Sequence, residues 1–292
     1  MLQGRRHRHF HAWMNEIDDI IRGASGGFLF GIPLLYTMEV WWIGSFAHPL
    51  RLLIAIILTF TIVFMLNRTD GFRKSSDTQA IDALFDSIEA MAIGIICCGL
   101  ILIILQEITL QTALHEALGK LIYESMPFTL GVALANQFLG GEDQDNHRNS
   151  NHRKPSEQGR LNATLADIGA TLIGAMVIAF NIAPTDEVPM LVAAVSGLWL
   201  LAVMIVSLLI SYAIVFQAGF ANQAKRQQQQ GIFQRPISET VMSYLISLFA
   251  AAIMLVFFSQ LHLTDPWQMW LSYTLILGLP ATIGGAAGRL AI

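Results

Sequence analysis

Five carboxylates lie inside or at the edge of long apolar stretches: Glu39, Asp86, Glu89, Asp167 and Glu239. A charge in hydrocarbon is expensive, so an acid placed there normally faces the protein interior or water and marks an ion path. No Lys or Arg falls deep in those stretches, and unopposed carboxylates would concentrate cations and repel anions. Asp86 and Glu89 are three residues apart and share a helix face. Two readings of that pair stay open, a cation-attracting mouth and a polar helix start favoured by the helix dipole. Glu39, two residues before Trp41 and Trp42, reads as an outer vestibule or ion site.

Other chemistry is weakly signalled. Cys97 and Cys98 are adjacent in an apolar run and suit two small buried residues rather than metal ligands. His7, His9 and His11 alternate with basic and aromatic residues as in a solvated tail, and His115-Glu116 are neighbours that do not share a helix face. No phosphate loop, paired-His zinc motif, nucleophile elbow or dinucleotide fingerprint is present. The residues therefore point away from an enzyme and imply no cofactor, and they leave any metal unassigned.

The elements that must position these acids are membrane helices. The chain is 54% hydrophobic and only 13% charged, against about 25% charged in an ordinary soluble chain. A helix needs about 20 apolar residues to cross hydrocarbon. Apolar runs near that length predict eight spans, at 24–43, 50–66, 83–105, 121–139, 161–183, 190–216, 237–260 and 269–290. Fifteen of the 17 Lys and Arg, Arg289 among them, then fall on one side, with Arg51 and Lys120 opposite. Basic loops stay in the cytoplasm, so both termini are expected there. The same segregation explains the basic residues without nucleic acid. Helical periodicity over 10–21 predicts an interfacial helix before the first span, and periodicity over 110–121 a separate lid on the outer side.

The chain also repeats itself. Pro127-Phe-Thr129-Leu-Gly131-Val-Ala133 recurs as Pro280-Ala-Thr282-Ile-Gly284-Gly-Ala286 at an offset of 153, which also sets Asp86 on Glu239. Gly71-Phe72 recurs as Gly219-Phe220 at 148, and Gly23, Gly27 and Gly31 fall on Ala166, Ala170 and Gly174 at 143. Ordered matches of this kind predict a tandem duplication. The expected fold is all-α, with two parallel four-helix repeats related by an axis along the membrane normal, since an even number of spans returns each copy to the same side. Residues 1–140 would hold the interfacial helix and first repeat, 141–160 a flexible polar linker, and 161–292 the second repeat.

Small residues spaced by four let helices pack closely. They also permit hinging, as do prolines that remove a backbone donor. Pro33, Pro127, Thr129, Gly131, Pro280, Thr282 and Gly284 are the candidate hinge or broken-helix positions.

The stretch Gly31-Ile-Pro33-Leu-Leu-Tyr36-Thr-Met-Glu39-Val-Trp41-Trp42, with Ser25-Gly26-Gly27 before it and the Pro-x-Thr-x-Gly-x-Ala motif near the end, resembles a family of uncharacterised bacterial integral membrane proteins. The resemblance covers nearly the whole chain and implies a bacterial inner membrane location without implying an activity. The residues themselves lead to a cation-permeating channel or secondary transporter that meets the lipid bilayer and an inorganic cation, with a homo-oligomer compatible. The alternative is a non-transporting sensor or assembly factor whose polar loops bind a partner.

Overall fold

The computed structural model describes residues 2–70, 80–139, 157–218 and 236–290. These residues form helices joined by short connections, with no strand among them. The chain divides into two compact units, Met1–Leu139 with Gln217–Gly219, and Gly140–Phe216 with Phe220–Ile292. Most of the polar linker expected over 141–160, and the glutamine run at 227–230, lie outside the described residues; the next helix starts at Glu157.

The first unit contains α1 (Leu2–Leu35), α2 (Met38–Ser45), α3 (Pro49–Asp70), α4 (Ala80–Ile104) and α5 (Leu114–Leu139). Helices α1 to α4 all pack on α5, which is the centre of the unit. The second unit has the same order: α6 (Glu157–Ile182), α7 (Glu187–Ala194), α8 (Gly197–Tyr212) running into a π-helical turn Ala213–Gln217, α9 (Pro236–Phe257) and α10 (Trp267–Leu290). Here α6 to α9 all pack on α10. The spanning stretch of α10 is 67% buried against 17% for α3, which separates a central helix from one facing lipid.

Four expectations change. The interfacial helix expected over 10–21 is not a separate element, because α1 runs unbroken from Leu2 to Leu35. The span predicted over 24–43 is two helices, because α1 stops at Leu35 and α2 leaves at 89°. The buried Trp41 holds that bend, its indole Nε1–H donating to the Leu35 carbonyl at 2.8 Å, so one carbonyl at the helix end is satisfied by a side chain. The span predicted over 190–216 is likewise interrupted, by extended backbone at Val195 and Ser196 between α7 and α8. The lid expected over 110–121 does not exist as a separate element: α5 runs unbroken from Leu114 through the predicted fourth span. Among the described residues six helices are long and apolar enough to cross a membrane, or seven if α1 and α2 count as one bent span. Helix α5, with Glu116, Lys120 and Glu124, falls outside that set.

The helix ends repeat in detail. Gln106 and Ser259, 153 apart, adopt positive φ of 61° and 59°. After α4, Gln106 N–H donates to Ile103 O and Glu107 N–H to Leu102 O; after α9, Ser259 N–H donates to Val256 O and Gln260 N–H to Leu255 O. Each is a Schellman closure, which pairs the last carbonyls of a helix through one left-handed residue. The turns beyond also match: Thr109 N–H donates to the Thr112 hydroxyl at 2.9 Å and His262 N–H to the Asp265 carboxylate at 2.7 Å.

The crossings of the central helices use the small residues. A Cβ on Gly131 would strike the Gly26 carbonyl, and one on Gly284 the Gly174 carbonyl. Gly26 and Gly174 therefore occupy the same place against α5 and α10, an offset of 148 rather than the 143 read from glycine spacing. Thr59 and Ser207, also 148 apart, are both buried and both donate to the carbonyl one turn earlier, Ala55 O and Val203 O.

Candidate acidic centres

Each unit carries a charged centre on its central helix, at opposite ends of that helix. In the first unit, Glu116, Lys120 and Glu124 follow one another at four-residue spacing on α5 and so share a face. The Lys120 ammonium is buried and donates to Glu107 O at 3.1 Å and Glu107 Oε2 at 3.2 Å, and pairs with Glu116 Oε1 at 3.1 Å. One turn deeper, Glu124 is 1% exposed and its Oε1 has no hydrogen-bond partner. Glu107, in the connection after α4, lies close enough to act on the Glu124 charge, and Glu124 in turn acts on the Cys98 thiol of α4.

In the second unit the charge sits near the other end. Arg289, in the last turn of α10 and 1% exposed, pairs with Glu239 in the first turn of α9. The Arg289 guanidinium also lies 5.7 Å from the centre of the Phe216 ring, a cation–π distance. Sequence reading counted Arg289 only among the basic residues of one membrane face and named no acid for it; its guanidinium is buried against a candidate acid.

Of the other sequence candidates, Asp86 is buried on α4, Glu89 is half-buried one turn later, Asp167 is half-buried on α6, and Glu39 is exposed in the first turn of α2. Pro33, Pro127 and Pro280 lie within α1, α5 and α10. Thr129 and Thr282 are buried at the same place in the two central helices, beside Gly131 and Gly284, and the Thr282 hydroxyl donates to Gly278 O.

The model of a family described as "Putative integral membrane protein (DUF2391)" matches residues 19–292. The chain belongs to this family. It is an integral membrane protein that crosses the bilayer several times. No curated protein and no solved structure gives a match.

The matched region holds every charged residue of both centres. Two buried acids escaped sequence reading. Glu124 was hidden in a run taken as an ordinary span, although the spacing Glu116, Lys120, Glu124 gives it away. Glu187, buried in the first turn of α7, is aligned at 148 with Glu39 in the first turn of α2. At that offset Asp19-Ile20, Gly26 and Thr37-Met-Glu39-Val40 fall on Asp167-Ile168, Gly174 and Thr185-Asp-Glu187-Val188. Among the described residues no three His, Cys, Asp or Glu side chains are grouped so as to hold a metal ion.

Proposed function

We propose that this protein is a cation-permeating channel or secondary transporter of a bacterial inner membrane, built by tandem duplication of one helical unit. The repeats are parallel, with α1, α3, α4 and α5 spanning in the first and α6, α8, α9 and α10 in the second, so that both termini are cytoplasmic. Helix α5 counts as a span despite its charges because the other helices of its unit pack on it and shield it from lipid, which removes the need for an apolar surface all round.

The observation that carries the transport reading is the paired interruption. Each unit follows its first long helix with an eight-residue helix, and both short helices open on Thr-x-Glu-Val, at Thr37–Val40 and Thr185–Val188. Short or broken segments at corresponding positions of two halves are the best sequence-level pointer to a transporter's binding site. Backbone freed from a helix at membrane depth is tolerated where protein or a water-filled path satisfies it. Glu39 and Glu187 supply carboxylates at these breaks, and Asp86, Glu89 and Asp167 supply them toward the cytoplasmic ends, where Glu239 is already paired with Arg289.

The test is a flux screen of the purified full-length protein in proteoliposomes, across potassium, sodium, calcium, magnesium and protons. Uptake of at least one cation above protein-free vesicles is expected, and Glu39→Gln combined with Glu187→Gln should abolish most of it at matched protein levels. Absence of flux for every cation would overturn the reading in favour of a sensor or assembly factor.

A further inference from the structure

Around Glu124 the donors run out. An ammonium has three N–H groups, and Lys120 spends its hydrogen bonds and ion pairs on Glu107 and Glu116. Nothing is left to reach one turn deeper, where Glu124 Oε1 is enclosed without a partner. If all three acids ionised, three negative charges would face one positive charge. A buried carboxylate with neither donor nor counter-ion is the costly form, and a proton on it removes the excess charge.

The surrounding groups fit proton delivery. Side-chain exposure falls from 36% at Glu116 to 14% at Glu107, and Glu124 is 1% exposed. That is a graded series of acids running inward from the start of α5. The titratable groups that face Glu124 are Glu107 and Cys98 from α4 and its following connection, and Lys120 and Glu116 on its own helix. Near this end of the unit, the helices α1 to α3 and their connections contribute Tyr36, Glu39, His48 and Arg51. The second unit has none of this: at the 153 offset Glu107, Glu116, Lys120 and Glu124 become Gln260, Met269, Tyr273 and Leu277.

We propose that Glu124 is a proton-binding site, loaded through Glu116 and Glu107, with Lys120 fixing those two acids at its entrance. The proton arrives from water on the side where α5 begins, passes to a Glu116 or Glu107 carboxylate and then to a Glu124 carboxyl oxygen, and leaves by the reverse route. This deepens the transport reading by making the proton the coupling ion, but the site can be tested without transport.

The probe is dicyclohexylcarbodiimide on the full-length protein in detergent. A protonated carboxyl adds its O–H across one C=N bond of the reagent, and the acyl group then shifts to nitrogen, leaving a stable N-acylurea with no leaving group. Peptide mass mapping should find the adduct on Glu124, with labelling that falls as pH rises and is absent in Glu124→Gln. Infrared difference spectra between acid and alkaline pH should show the carbonyl band of a protonated carboxyl that disappears in the same variant. Failure of that band to differ between wild type and Glu124→Gln would overturn the proposal, even if the reagent simply cannot reach the site. In vesicles, Glu124→Gln should remove the dependence of cation flux on a pH gradient. A protein that shows the band and the adduct but moves no cation would leave the site standing and remove the transport reading alone.

Discussion

The two units share a backbone plan and differ in what they charge. Both follow the first long helix with an eight-residue helix, both close α4 or α9 with a left-handed residue, and both cross central helices at glycine. The first unit buries Lys120 and Glu124 on α5, where the second has Tyr273 and Leu277. The second pairs Glu239 with Arg289, where the first has Asp86 and Asn136. It also buries Thr171, Ser243 and Ser247 where the first has Gly23, Ala90 and Gly94. Geometry that any helix pair of this kind needs has been kept twice, and so have acids at 86 and 239 and at 39 and 187, whereas the buried Lys120, Glu124 and Arg289 occur once each. Ionisable groups are costly at membrane depth and usually mark function.

The largest effect that probes this contrast should come from the buried pair. Removing the acid paired with a buried charge costs up to about 3 to 5 kcal/mol, and less where, as for Glu239 at 27% exposed, water reaches one side of the pair. Glu239→Gln should therefore lower the thermal midpoint of the detergent-solubilised protein strongly, and adding Arg289→Met should restore most of it. Asp86→Asn, at the matching place in the first unit, keeps a hydrogen-bonding side chain of nearly the same shape and should cost about 1 kcal/mol. Equal losses for Glu239→Gln and Asp86→Asn would mean that the two units use these acids alike.

Next in size are the glycine crossings. A methyl group on Gly131 or on Gly284 meets a backbone carbonyl of the facing helix, which cannot move aside as a side-chain end can. Overpacking of this kind costs about 1 to 3 kcal/mol, and Gly131→Ala and Gly284→Ala should lower the midpoint by similar amounts. A large loss at one position and none at the other would break the equivalence of the crossings.

These positions also show what the sequence could and could not tell. The Pro-x-Thr-x-Gly-x-Ala motif repeats nearly residue for residue, so the match of α5 with α10 was legible at once. The register of α1 on α6 was not, because small residues meet small residues at either offset: Gly23, Gly27 and Gly31 fall on Ala166, Ala170 and Gly174 at 143 and on Thr171, Ala175 and Ala179 at 148. The Thr-x-Glu-Val recurrence fixes 148, since it sits at a backbone break instead of along a featureless helix. The breaks themselves were invisible to hydropathy: Tyr36-Thr37 and Val195-Ser196 carry no charge and no glycine, so an apolar window runs straight across them. The pairing of Arg289 was missed for the opposite reason, because its position at the end of a span resembles a headgroup arginine until Glu239 and Phe216 are seen around it.

The smallest expected effect tests the equivalence most finely. Gln106 and Ser259 hold φ near +60° at the ends of α4 and α9, in matching Schellman closures. A residue with a Cβ pays about 1 kcal/mol or more in that conformation, which glycine adopts freely. Against this, glycine loses more chain entropy on folding, which trims the gain but does not cancel it where the native φ is positive. Ser259→Gly gives up no side-chain hydrogen bond, whereas Gln106 gives up a donation from Nε2 to the Ile103 carbonyl at 2.9 Å. Ser259→Gly should thus stabilise by about 1 kcal/mol and Gln106→Gly by slightly less, read as small upward shifts of the thermal midpoint. A downward shift at both sites would show that the left-handed closures are absent in the folded protein, and with them the closest structural match between the two units.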